Sequence, residues 1–160
     1  MKFTISIENA LPSDANEISN LVLENATFYL KQHYTDAQWL VFLSYYSVEA
    51  LLHKIQNQDV FCAKVEGKIV GTIALDKDYI VGFYTHIQFA NKGIGSTLLQ
   101  HIEEFARVDK GYSEILLASS PVGVTFYTKY GWQIIEKVIL DYLGVDFEET
   151  IMKKWLQSVS

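Results

Sequence analysis

The chain has 160 residues, of which 49% are hydrophobic and 20% are charged, proportions that fit one folded domain and exclude disordered and coiled-coil proteins. Its 13 basic and 19 acidic residues give a net charge of -6, which disfavours a nucleic-acid-binding surface and mildly favours cationic ligands. The amino terminus lacks signal-peptide character, and no window approaches the roughly 18 apolar residues of a membrane helix. We therefore expect one domain over residues 1–160, a cytoplasmic location, and neither nucleic-acid nor membrane partners.

Hydrophobic periodicity predicts the elements of the first third of the chain. Residues 3–8 alternate between apolar and polar side chains, as in a half-buried strand. Residues 12–14 supply helix-start chemistry, and apolar residues at spacings of three and four follow as far as Tyr29. The aromatic-rich stretch 33–58 predicts one second helix, which is clearest over residues 48–55.

The remainder of the chain predicts mostly strands. β-Branched and aromatic runs separated by short polar turns indicate an antiparallel meander over residues 60–65, 68–75 and 79–88. We then expect an amphipathic helix over 96–110, a strand over 114–118, a short helix over 121–130, and strands over 132–140 and 145–154.

Neither metal nor disulfide chemistry is expected. The single cysteine, Cys62, lies in an apolar run that is typical of a buried strand. The four histidines are scattered without the spacing of a ligand set. We therefore predict a structural thiol and no metal site.

A segment with two glycines lies between the third meander strand and the amphipathic helix. It reads Asn91-Lys92-Gly93-Ile94-Gly95-Ser96, so backbone N–H groups would lie at the positive end of a helix dipole, where an anion could approach closely. The dinucleotide-binding fingerprint and the Walker A loop are excluded, because no third glycine and no Lys-Ser or Lys-Thr pair follows. Taken alone, the segment fits a tight turn as well as a phosphate site.

A second motif follows on the short helix. It reads Phe126-Tyr127-Thr128-Lys129-Tyr130-Gly131-Trp132, an aromatic pair followed by a glycine stop and an aromatic residue that opens the next strand. Together, the two motifs and the element order of the whole chain resemble the GNAT superfamily of acetyl-CoA-dependent N-acetyltransferases. The resemblance implies an α+β, three-layer fold, with a mixed, mostly antiparallel central sheet of about seven strands and helices on both faces.

The resemblance also implies where acetyl-CoA would bind. The coenzyme A pyrophosphate would be held by the backbone of Asn91, Lys92, Gly93, Ile94, Gly95 and Ser96. The pantetheine arm and the acetyl carbonyl would hydrogen-bond the strand edge at Phe83, Tyr84 and Thr85. The lysine side chain could contact the pyrophosphate or simply be solvated.

Two further residues complete the implied site. Ser120 occupies a position where the family often has an asparagine near the pantetheine. Tyr127 matches the tyrosine beside the sulfur, where its hydroxyl could protonate the departing thiolate, because the reference pKa values of tyrosine and a thiol are about 10 and 8.5. The alternative is that Tyr127 only packs.

The expected general base is missing from its family position. Several members place a glutamate at the start of the third meander strand, where this chain has Tyr79, and Asp78 is one position away. The base could be water, the amine could arrive neutral, or His86 could serve. In the loop, Ala90 replaces the usual Arg or Gln and Asn91 replaces a glycine, although asparagine tolerates left-handed backbone angles.

The sequence leaves two functions open. The first is transfer of an acetyl group to a primary amine of a small molecule or peptide, and the second is a catalytically weakened coenzyme A-binding sensor or interaction module. The family's variable acceptor region corresponds to residues 32–58 and 141–146, so the acceptor cannot be read from the motifs. The aromatic residues Trp39, Tyr45 and Tyr46 could pack in the core or line a pocket. A homodimer through the final strands is an alternative to a monomer.

Overall fold

A seven-stranded mixed sheet runs through residues 4–157, the part of the chain that the computed structural model describes. Its strands are β1 (Ser6–Asn9), β2 (Asp59–Val65), β3 (Lys68–Asp76), β4 (Tyr79–Thr85), β5 (Glu114–Ser119), β6 (Gln133–Tyr142) and β7 (Val145–Trp155). Their order across the sheet is β1-β2-β3-β4-β5-β7-β6, with β4 and β5 parallel and the other described pairs antiparallel. This topology confirms the predicted α+β fold.

Helices cover both faces of the sheet. They are α1 (Ala15–Tyr29), α2 (Asp36–Tyr45), α3 (Val48–Asn57), α4 (Ile94–Val108) and α5 (Val124–Lys129). One core cluster joins α1, α2 and α3 to the sheet, and a second joins α4 to the opposite face. Trp132 is buried in one cluster and Cys62 in the other, and the burial of Cys62 agrees with the prediction of a structural thiol.

The prediction of a single helix within residues 33–58 was wrong, because two helices form there. Thr35 Oγ1 accepts a hydrogen bond from the Gln38 backbone N–H at the start of α2. Ser47 Oγ accepts one from the Ala50 N–H at the start of α3, so each helix has its own cap. Apolar residues surround α2 instead of forming one stripe, and its period was therefore invisible in the sequence.

Several predicted boundaries also differ from the structure, most clearly at β4, α4 and α5. The third meander strand, β4, ends at Thr85, because the chain turns into a one-turn 3-10 helix (Ile87–Phe89) that His86 caps. Helix α4 begins at Ile94, two residues earlier than predicted, and α5 begins only at Val124. The first residue of the predicted first strand, Phe3, lies outside the described residues.

The position of α4 depends on a glycine in the sheet. A Cβ on Gly71 of β3 would lie 2.7 Å from Leu98 Cδ1 and 2.9 Å from Ile94 Cγ2, closer than packed carbons tolerate. The missing side chain therefore lets the first turns of α4 lie directly on the strand.

At the far edge of the sheet, β6 pairs on one side with β7 and exposes Ile134 and Ile139. A homodimer through these strands stays a prediction. No helix within residues 4–157 has the length and apolar character needed to cross a membrane.

Candidate active site

A cleft opens between the two parallel strands in the middle of the sheet. β4 and β5 pair at Tyr79 with Leu116 and at Ile80 with Leu117, and the register extends no further. The register between β3 and β4 shifts just beyond this point, and Gly82 adopts a φ of 64°, so β4 carries a β-bulge. The bulge bends β4 away from β5 and exposes strand edges that a regular sheet would pair.

A cavity of about 990 Å³ adjoins this cleft, which is a volume typical of small-molecule sites. It contains four of the residues predicted for the site: Phe83, Tyr84, Ser120 and Tyr127. The fifth cleft residue, Thr85, lies at the end of β4, where its carbonyl accepts a hydrogen bond of 2.8 Å from Asn25 Nδ2.

The predicted phosphate loop adopts the backbone expected at an anion site. Asn91 and Gly93 have φ values of 59° and 83°, so the asparagine does take the left-handed conformation in place of a family glycine. Helix α4 begins directly after Gly93, and its first backbone N–H groups have no partner within the helix. The buried side chain of Ile94 anchors the turn beneath them.

The loop and the cleft are adjacent. A Cβ on Gly95 would lie 3.6 Å from the Phe83 ring and 3.5 Å from the Phe126 ring. Ser96 Oγ and Thr97 Oγ1 donate hydrogen bonds to the Gly93 carbonyl, which keeps that turn in place. A ligand that bridges the loop and the cleft would therefore pass over the first turn of α4.

Tyr127 lies on α5 at the opposite wall of the cleft. Its ring centroid is 6.2 Å from that of Phe83 and 5.9 Å from that of Trp132. Burial, together with the nearby Tyr46 hydroxyl, raises the pKa of Tyr127 well above its ordinary value. The phenol therefore keeps its proton at neutral pH and is a donor rather than a base.

Of the two side chains considered near the base position from the sequence, Asp78 lines the cavity and His86 does not. His86 Nδ1 accepts a hydrogen bond of 3.2 Å from the Gln88 backbone N–H, and His86 does not line the cavity. The Asp78 carbonyl holds the start of β5 through the Leu116 N–H. His86 thus caps the 3-10 turn, and its role as a base stays a prediction.

Sequence reasoning missed a carboxylate on β7. Glu149 lines the cavity, and burial raises the pKa of its side chain to about 7, although a hydrogen bond with Tyr142 opposes this shift. One signal could have revealed it, because Glu149 stands between the apolar residues Phe147 and Ile151 on one face of the strand. An acid in that position is costly to bury and is often functional.

A second perturbed group lies at the α3 side of the cavity. Burial lowers the pKa of Lys54 to about 8, and its Nζ lies 3.8 Å from the centroid of the Tyr46 ring. Burial also raises the pKa of Tyr84 well above its ordinary value. Within residues 4–157, no group of three or more His, Cys, Asp or Glu side chains could hold a metal ion.

Comparisons with known proteins agree with this geometry. Residues 30–143 match the family model of the acetyltransferase (GNAT) domain, and the chain therefore belongs to the GNAT family of acetyltransferases. An uncharacterized N-acetyltransferase of Escherichia coli, YafP, is 22% identical over 93% of this chain and 95% of its own length.

Solved structures show the same fold at low sequence identity. A GCN5-related N-acetyltransferase from Rhodopseudomonas palustris superimposes with a TM-score of 0.87, at 20% identity, over 98% of this chain and 99% of its own. The PaiA N-acetyltransferase from Thermoplasma acidophilum, solved in complex with coenzyme A, gives a TM-score of 0.79 at 22% identity over 95% of this chain and 99% of its own.

Proposed function

We propose that the protein transfers the acetyl group of acetyl-CoA to a primary amine of a small molecule or peptide, by direct attack of the amine on the thioester. One observation carries the proposal: the anion-type loop before α4 runs directly into the splayed cleft, and Tyr127 faces that cleft from the other side. A similar fold in PaiA carries coenzyme A, which supports the same ligand here.

The residues present fit this coenzyme. The first N–H groups of α4 and the left-handed turn at Asn91 and Gly93 suit a pyrophosphate. At Phe83 and Tyr84, the bulged edge of β4 offers backbone groups that could hydrogen-bond the amides of the pantetheine arm. Ser120 lines the same cavity. When bound, acetyl-CoA would supply an activated acetyl group.

The chain's own groups then have two tasks. A backbone N–H of Phe83, Tyr84 or Thr85 would stabilise negative charge on the acetyl oxygen in a cleft with little water. Tyr127 would protonate the thiolate as it leaves. Burial raises the proton affinity of the tyrosine, but it also raises that of a thiolate in the same cleft, so the transfer remains feasible.

The alternative function is a coenzyme A-binding sensor that no longer transfers acetyl groups. Its motivation is the absence of a glutamate at position 79 and the altered loop. A screen of primary amines and peptide amino termini, followed by thiol release from acetyl-CoA, separates the two functions. Acetylated product with any amine supports the enzyme, whereas micromolar coenzyme binding without thiol release across the screen supports the sensor.

A further inference from the structure

We propose that the acetyl acceptor is a primary amine carried on an apolar, aromatic-sized body, and that Glu149 takes the proton from this amine. The inference rests on the proposed function and deepens it, because it names the substrate class and the missing base. The observations come from the part of the cavity formed by α2, β6 and β7, which we call the acceptor chamber.

Aromatic rings line the acceptor chamber almost continuously. Tyr34 contacts Phe147 at 5.6 Å and Phe42 at 6.1 Å between ring centroids. Tyr142 in turn contacts Phe147 at 5.4 Å and Tyr45 at 5.9 Å. All five rings border the cavity. Such a lining buries an apolar body, and its ring faces also attract an ammonium group.

Glu149 lies where the acceptor chamber meets the cleft. β5 ends at Ser119, which pairs with Thr150 of β7, so Glu149 is the first β7 residue beyond that pairing. Ser119 also lies beside the other wall, because a Cβ on Gly123 would be 2.8 Å from Ser119 Oγ and 3.5 Å from the Tyr127 ring. The end of β5 therefore brings the carboxylate and the phenol to the same end of the cleft.

The surroundings of Glu149 suit a base that works near neutral pH. Burial raises its pKa to about 7, and an approaching ammonium would favour the ionised form. The hydrogen bond from Tyr142 orients the carboxylate. The other titratable groups that line the cavity are Tyr29 of α1, Tyr34, Tyr45 and Tyr46 around α2, Lys54 of α3, Asp76, Lys77, Asp78, Tyr79 and Tyr84 of β3, β4 and the turn between them, Tyr127 of α5, Tyr142 of β6 and the exposed Glu148 of β7.

Two side chains account for all of the proton transfers in the reaction. Glu149 takes one proton from the ammonium, and the freed lone pair forms the N–C bond while the C–S bond breaks. Tyr127 gives its proton to the sulfur and takes the second nitrogen proton, directly or through water. The products are an amide and a free thiol, and Glu149 releases one proton to solvent.

The test compares two acceptors that share an aromatic body. 2-Phenylethylamine is an alkylamine and arrives protonated, since alkylamines have a pKa of about 10.4, whereas phenylacetic hydrazide has a terminal nitrogen that is neutral at pH 7. Glu149→Gln should lower kcat/KM for 2-phenylethylamine about 10²- to 10⁴-fold and change that for the hydrazide less than about threefold. The control is Glu136→Gln, an exposed carboxylate of β6, which should leave both rates unchanged.

The pH profile gives an independent readout. With the wild-type protein and the hydrazide, no rise of kcat/KM around pH 7 is expected, but with 2-phenylethylamine an acid limb near pH 7 should appear and Glu149→Gln should abolish it. Glu149→Asp, which keeps a carboxylate, should restore part of the rate. Equal losses on both acceptors, or an unchanged acid limb in the glutamine variant, would overturn the role of Glu149.

The substrate class has its own test. Ethanolamine, a polar amine, should react with a kcat/KM at least about tenfold below that of 2-phenylethylamine, in line with the value of burying an apolar body. A preference for ethanolamine overturns the inference. Calorimetry separates the two levels of the account: failure of 2-phenylethylamine to bind protein saturated with coenzyme A overturns this inference alone, whereas failure of coenzyme A to bind overturns the proposed function.

Discussion

Phe83 and Tyr127 face each other across the cleft, with ring centroids 6.2 Å apart and planes inclined at 53°. The first residue belongs to the bulged strand β4 and the second to the short helix α5, so the pair spans the gap where the sheet splits. This spacing places the Tyr127 ring beside a side chain of the strand that we assign to the pantetheine arm. The central predictions concern what the Tyr127 hydroxyl and its surroundings do.

Removal of the Tyr127 hydroxyl should damage the chemical step. Tyr127→Phe should lower kcat about 10²- to 10⁴-fold, which corresponds to about 3 to 5 kcal/mol of transition-state stabilisation. The affinity for acetyl-CoA, measured by calorimetry, should barely change. Tyr130→Phe removes a hydroxyl from the end of the same helix, outside the cavity lining, and should leave kcat unchanged. A Tyr127→Phe variant with full kcat would show that the tyrosine only packs.

Replacement of Gly93 should weaken coenzyme binding without disturbing the fold more than a matched control. Gly93 and Gly67 have φ values of 83° and 78°, and a Cβ at either position meets no atom within 4 Å. Alanine should therefore cost each site a similar backbone strain of about 1 kcal/mol. We expect Gly93→Ala alone to lower acetyl-CoA affinity, at least about tenfold.

Equal affinities in the Gly93→Ala and Gly67→Ala variants would place the pyrophosphate elsewhere on the protein. Denaturant unfolding checks that the two substitutions cost comparable stability, so that a loss of affinity can be assigned to the loop.

A methyl group on Gly71 should disturb the packing of α4 against β3. The added Cβ would lie 2.7 Å from Leu98 Cδ1 and 2.9 Å from Ile94 Cγ2, and such overpacking costs about 1 to 3 kcal/mol. Gly71→Ala should therefore lower the urea midpoint at an unchanged m-value, and it should also weaken acetyl-CoA binding because the loop leads into that helix. A variant as stable as the wild type would show that the helix shifts freely.

The charge on Glu149 should make stability depend on pH in a defined direction. The pKa of Glu149 rises from 4.5 to about 7 on folding, so the folded protein favours the protonated side chain. The contribution of Glu149 to the free energy of unfolding is therefore fully present below pH 4.5 and is lost as the pH rises through about 7. Glu149→Gln should therefore be more stable than the wild type at pH 8, by roughly 1 to 2 kcal/mol after allowance for solvent screening, and the advantage should vanish at pH 4.

Urea unfolding at both pH values checks this prediction, and Glu136→Gln again provides the control for a lost negative charge. A wild-type protein that is more stable than Glu149→Gln at pH 8 would mean that the carboxylate is stabilised in the fold and is no poised base.

The two motifs predicted much of the geometry of the candidate site, because each motif is contained in neighbouring residues. A left-handed turn before a helix and an aromatic pair before a glycine stop are contained in neighbouring residues, and Asn91, Gly93 and Tyr127 take the backbone or cavity positions expected of them. The fold was predictable for the same reason, since runs of β-branched and aromatic residues mark the meander strands and α4 is strongly amphipathic.

The acceptor side was not predictable because its residues meet only in three dimensions. Glu149 and Tyr34 lie far apart in the chain and converge only because α2 packs near β7, where Gln38 Nε2 donates a hydrogen bond to the Asp146 carbonyl. Helix α2 was missed altogether, since a segment with apolar residues all round has no period to detect. The bulge at Gly82 was equally hidden, because a single glycine in a strand has several structural uses.

The central claim is that the protein transfers an acetyl group to an amine, and it is tested most directly by measuring thiol release and amine acetylation in the same reaction. The protein is mixed with acetyl-CoA and 2-phenylethylamine, free thiol is recorded against time, and the amine is identified by mass spectrometry. The account predicts one acetylated amine for each thiol released, with both signals reduced together in Tyr127→Phe. Acetyl-CoA that binds but stays intact with this amine and with every other amine and peptide amino terminus of the screen would contradict it and would identify the protein as a coenzyme A sensor.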